Sequence, residues 1–171
     1  VNNRLAILDQ VSNMLTSSSD IPESISKLIS QVGKLNKRIE KLEANACSLI
    51  RDELLSKSEE INGVQFIAQQ VQTDSLDILK KIAQMIRTSN KGIVLAIGSQ
   101  IGDKAHLLIM VSDDILKIKK IHAGDIVNKA AKYINGGGGG QAFMAVAGGN
   151  QPEGIPQALD YIKKTVMENI L

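Results

Sequence analysis

The chain has 171 residues, 43 % of them apolar, a formal charge of +2 and one cysteine. That length holds one ordinary domain plus an appendage, or two small domains, and the lone Cys47 excludes an intrachain disulfide and fits a reducing compartment. No apolar run approaches the ~18–20 residues that span a bilayer, and no signal-peptide pattern opens the chain. Aromatic residues make up 2 % with no Trp, so a core must be built from Ile, Leu, Val, Ala and Met. The chain opens on Val1 in mid-pattern and reads as a piece of a longer cytoplasmic protein.

Leu5, Leu8, Val11 (or Ser12) and Leu15 predict a short amphipathic helix over residues 2–16. Thr16-Ser17-Ser18-Ser19-Asp20 breaks it, and Asp20 is the expected N-cap of the next helix, with Pro22 and Glu23 in its first turn. From there Ile21, Ile25, Leu28, Val32, Leu35, Ile39, Leu42, Ala46 and Leu49 alternate steps of four and three. This is a heptad seam, and carried to Leu55 it predicts a helix of roughly 50 Å. Helix 2–16 can fold back on part of the seam as an antiparallel hairpin. Leu28, Val32, Leu35, Ile39 and Leu42 otherwise call for a partner, either a second copy of the chain or a segment outside it.

Asn62-Gly63 punctuates a polar stretch, after which the pattern changes. Residues 64–71 read as a strand, and 74–88 as a helix capped by Thr73 or Asp74 with Leu76, Leu79, Ile82, Ala83 and Ile86 inward. Residues 92–98 form a second strand, apolar on both faces and therefore central. Ile101-Gly102-Asp103 turns the chain into a third strand at 105–111, and Ser112-Asp113-Asp114 starts a short helical piece. A helix over 122–134, a strand over 142–147 and a closing helix from Pro152 to Leu171 complete the series. The expected architecture is a helical, coiled-coil-like arm (1–62) followed by an α+β or α/β globular domain (63–171). The domain has a roughly four-stranded sheet flanked by helices. Charge divides likewise: 8 basic and 9 acidic side chains precede residue 63, and 12 basic and 9 acidic follow.

The improbable stretch is Gly136-Gly137-Gly138-Gly139-Gly140, with Gly148-Gly149 shortly after it. Five residues without a Cβ lose much entropy on ordering, a cost expected where the backbone itself must come close to something. A flexible linker is the competing reading, disfavoured by the strand that follows so closely. Catalytic chemistry finds no support. His106, His122 and Cys47 have no metal-ligand spacing, no Ser or Cys sits in an elbow-like setting, and Asp113-Asp114 reads as a helix cap. The run lacks the Gly-Lys-Ser/Thr of a phosphate-binding loop, and its helix–glycine–strand order is the reverse of a dinucleotide fingerprint. Binding remains. Lys117, Lys119, Lys120, Lys129 and Lys132, with Arg87 and Lys91, supply positive charge beside a bare backbone that can approach phosphate or a flat nucleobase. Tyr133 and Phe143 are candidates for stacking, with a core role the better expectation for Phe143.

The series His122-Ala123-Gly124-Asp125-Ile126-Val127-Asn128-Lys129-Ala130-Ala131-Lys132, then Gly136–Gly140, Met144-Ala145 and Gly148-Gly149, resembles the carboxyl-terminal region of the alanyl-tRNA synthetase family. The resemblance covers most of the chain: a helical arm, then the DHH-associated domain also found at the end of some phosphoesterases. It implies a non-catalytic part of an enzyme that ligates alanine to tRNA(Ala), with ATP and zinc bound elsewhere in the parent and none here. The implied partners are tRNA(Ala), docked through its elbow, the parent's other domains and, in some members, a second copy. The candidate RNA-contacting set is Gly136, Gly137, Gly138, Gly139 and Gly140 with His122, Lys119, Lys120, Lys129, Lys132 and Gln141. The family often has Arg-Pro-Asp where this chain has Gln141-Ala142-Phe143, and a Gln where Val146 stands, so the backbone carries more of the recognition here. Two other readings are the substrate-gripping end of a DHH phosphoesterase and a structural dimerisation module working through residues 21–55.

Overall fold

A computed structural model describes residues 2–15, 20–118 and 121–170. The break expected at 16–19 and the candidates Lys119 and Lys120 lie outside them. By contacts the chain divides into two compact units, 1–45 and 46–171. The first unit holds α1 (Asn2–Met14) and most of α2 (Ile21–Ser56). Asp20 caps α2 as expected, its carboxylate accepting the Glu23 amide at 3.0 Å. The seam side chains Ile25, Leu28, Val32, Leu35, Ile39 and Leu42 are between 41 % and 59 % exposed, and Leu5 and Leu8 of α1 are also exposed.

The second unit takes in the last turns of α2, where Cys47 and Leu54 are buried. Its sheet is mixed and has, among the described residues, six strands in the order β1-β2-β3-β4-β6-β5. These are β1 (Glu59–Ile61), β2 (Val64–Gln70), β3 (Ile93–Ile101), β4 (Lys104–Val111), β5 (Gly136–Gly140) and β6 (Met144–Gly149). Only β2 and β3 are parallel, joined by α3 (Leu76–Ser89); the other pairs run antiparallel. Between β4 and β5 come α4 (Asp113–Ile118), α5 (Ala123–Ala130) and a tight 3-10 turn over 131–134; α6 (Ile155–Ile170) closes the chain. Residues 93–97 of β3 are all buried, as an apolar central strand requires.

Two strands exceed the expected four. β1 is short and charged, and Asn62 and Gly63, both at positive φ (48° and 78°), fold it onto β2 through a two-residue hairpin turn. β5 is the glycine run itself. A further correction concerns α3, whose N-cap is Ser75 rather than Thr73 or Asp74: its hydroxyl accepts the Asp77 amide at 3.2 Å, while Thr73 Oγ1 accepts the Ser75 amide. The sheet is covered on both faces. On one, Val94, Ala96, Leu107, Ile109, Ala145 and Ala147 pack with α5 and α6; on the other, Ile67, Leu95, Ile97, Leu108 and Met110 pack with α3 and the end of α2. No helix among the described residues is long and apolar enough to cross a membrane.

Candidate nucleic-acid interface

The sheet ends at β5, a strand of five exposed glycines paired in register with β6 from Gly136↔Gly149 to Gly140↔Ala145. Successive residues of a strand face opposite sides, so the five have two kinds of surroundings. A Cβ on Gly136 would collide with the Gly148 carbonyl, and one on Gly138 with Ala147 and the Val146 carbonyl. One on Gly140 (φ +155°) would lie 2.6 Å from the Ala145 Cα. The chain itself therefore demands glycine at these three positions. At Gly137 and Gly139 a Cβ would meet nothing within 4 Å among the described residues. A strand glycine costs about 0.5–1 kcal/mol against alanine, and no contact among the described residues offsets that at these two positions.

The flanking candidates lie at the two ends of this strand. The Ala123 amide donates to the Ala142 carbonyl at 2.9 Å, and a Cβ on Gly124 would lie 2.9 Å from the Gly140 carbonyl oxygen. His122, just before α5, and Gln141, just after β5, therefore share the Gly140 end. Lys132 lies at the other end: its carbonyl accepts the Asn135 amide at 3.2 Å, and Asn135 turns the chain into β5 with φ +48°. Lys129 belongs to the last turn of α5, and both lysines are exposed.

Arg87, Lys91 and Lys117 gather elsewhere, around a hollow at the end of α3 that also contains Asp113 and Asp114. Arg87 is occupied there. It bonds Asp113 at 2.7 Å, and its guanidinium carbon sits 3.9 Å from the centre of the Phe143 ring. One face of Phe143 is thus taken, and the ring is half-buried. Tyr133 is 39 % exposed and packs against Tyr161, their rings 5.4 Å apart.

Sequence reasoning weighed His106 only as a metal ligand. The fold sets it opposite Gly148, which is opposite Gly137, so one row across β4, β6 and β5 reads His106–Gly148–Gly137. A Cβ on Gly148 would stand 3.8 Å from Cε1 and Nδ1 of the imidazole. The next row is Leu108–Val146–Gly139. Burial, and then the charge of Lys104, push the His106 pKa below its usual 6.5, so the ring is neutral at physiological pH. No spacing along the chain signals this row, because it exists only once three strands are paired.

Residues 63–168 match the model of the DHHA1 domain. The alanine–tRNA ligase of Pediococcus pentosaceus is 36 % identical over 161 residues, covering 93 % of this chain and 18 % of the relative. That of Alkaliphilus oremlandii is 28 % identical over 168 residues, 98 % of this chain and 19 % of the relative. The chain spans about a fifth of the length of these curated relatives. Among solved structures, the C-Ala domain from Aquifex aeolicus alanyl-tRNA synthetase superposes with a TM-score of 0.59 at 30 % identity, over 65 % of this chain and 98 % of that one. The family match takes in β2 to β6 and the glycine strand with both its flanks, and on that footing the chain belongs to the DHHA1 domain family.

Proposed function

We propose that this chain is the RNA-binding carboxyl-terminal part of an alanine–tRNA ligase, docking on the elbow of tRNA(Ala) and performing no chemistry of its own. The observation that carries the reading is the pair Gly137 and Gly139, two costly residues at which a side chain would meet none of the described residues. A bare strand edge is what a partner's backbone can approach most closely. Lys129 and Lys132 at one end and His122 and Gln141 at the other supply polar and cationic contacts to sugar and phosphate. Similarity to alanine–tRNA ligases over 98 % of the chain, arm included, supports this over a phosphoesterase role. The parent's cytoplasmic location, its ATP and its zinc belong to the same proposal.

The test is equilibrium binding of a tRNA(Ala) transcript at two ionic strengths. Binding is expected at low salt and should weaken as salt rises, since each neutralised phosphate contributes a slope of about −0.9 in log affinity against log salt. Absence of affinity at low salt would overturn the reading.

A second role, compatible with the first, is self-association through α2. It is favoured by the exposure of Leu28, Val32, Leu35, Ile39 and Leu42 along one seam.

A further inference from the structure

The glycine hairpin offers RNA two different surfaces, and they suit different parts of it. Within a sheet the N–H and C=O groups point sideways, so donors for phosphate lie along the free edge of β5 and not on its faces. At Gly137, Gly139 and Gly148 one face presents only peptide planes and Cα atoms, and the Val146 side chain, opposite Gly139, stands at the remaining corner. This face is open above Gly137 and Gly139 and walled by the His106 imidazole on one side. One strand spacing by two residues gives it about 5 Å by 7 Å, the scale of a single heterocyclic base. Lys104 stands two residues from His106 on the same face of β4 and is exposed.

We infer that this face is a nucleobase subsite: a base of the bound RNA lies flat over Gly137, Gly139 and Gly148, His106 bonds its edge, and Lys104 takes the neighbouring phosphate. The assignment rests on the RNA-binding reading above and names the part of the RNA that this face receives. Burial and Lys104 keep the imidazole neutral, which leaves it one N–H donor and one lone pair, the equipment for a base edge and not for a phosphate. Directly opposite His106 in register is Ser99, fully buried, whose hydroxyl has no partner among the described residues. Ser99 and His106 are thus polar neighbours in a row that runs on to Gly148 and Gly137.

The experiment measures tRNA(Ala) affinity of the full chain against salt for His106→Gln, His106→Ala, Lys104→Ala and Gly139→Val. The valine enters open space at a strand position, so a melting temperature no lower than the parent's confirms its fold. Gly139→Val should weaken binding tenfold or more. Both His106 variants should weaken it about five- to tenfold with the salt slope unchanged, while Lys104→Ala should reduce the slope by about 0.9. Unchanged affinity in folded His106 variants, or a loss accompanied by a reduced slope, would overturn the base subsite while leaving RNA binding intact. A parent chain without affinity for the transcript would overturn the RNA reading itself, and the subsite with it.

Discussion

Asp114 shows how one side chain closes a corner of this fold. Its Oδ2 accepts the Gly92 amide at 2.7 Å, and Ser112 Oγ accepts the Ile93 amide at 3.0 Å, so α4 is tied to the start of β3. Burial alone would raise the Asp114 pKa. Hydrogen bonds from Ser112, Gly92 and the amides of Asp114 and Ile115 outweigh it and hold the carboxyl below its usual 3.8. A carboxyl lowered on folding stabilises the native state above its unfolded pKa, and that contribution fades as pH falls through the folded value. Asp114→Ala should therefore lower the unfolding free energy at pH 7 by about 1–2 kcal/mol, and the gap to the parent should narrow below pH 4. Urea titrations at both pH values check this; a gap independent of pH would assign the loss to packing. At this scale Asp113-Asp114 was legible as a helix start, and Asp20 as a cap. The distinction between Gly137 and Gly138 was not, because five identical letters carry no phase until β6 supplies a register.

Among the elements, the apolar patterns read through. Leu79, Ile82, Ala83 and Ile86 are the buried stripe of α3, and the unbroken apolar run at 93–97 is the buried stretch of β3. The two strands missed are those whose composition hides them. Glu59 and Glu60 look like loop but serve an edge strand, where charge is favoured, and glycine has little strand propensity of its own. The cap at the start of α3 is Ser75 and not Thr73 or Asp74, because several adjacent cap residues compete and only the observed bonds choose. The seam on α2 yields a separate prediction. With Leu35 at 57 % exposure, a self-associating chain should sediment as a dimer at micromolar concentration, and Leu35→Asp should return it to monomer. A parent chain that stays monomeric over the same range would assign the seam to a different partner.

For the whole molecule, a helical arm and an α+β sheet unit follow from the change in period, from heptad steps to short apolar strands. What periodicity cannot show is which strands become neighbours. His106 entered the site only because β4 pairs with β6 and β6 with β5. The same pairing leaves Gly137 and Gly139 facing open space at the margin of the sheet. The direct test of RNA docking there is a backbone amide NMR titration of the full chain with a tRNA(Ala) transcript. The amides of Gly137 and Gly139 should shift or broaden on the first additions, while that of Gly63, in the β1–β2 turn, stays put. Gly137 and Gly139 unmoved at saturation, with other resonances changing, would place the RNA somewhere other than on the glycine strand.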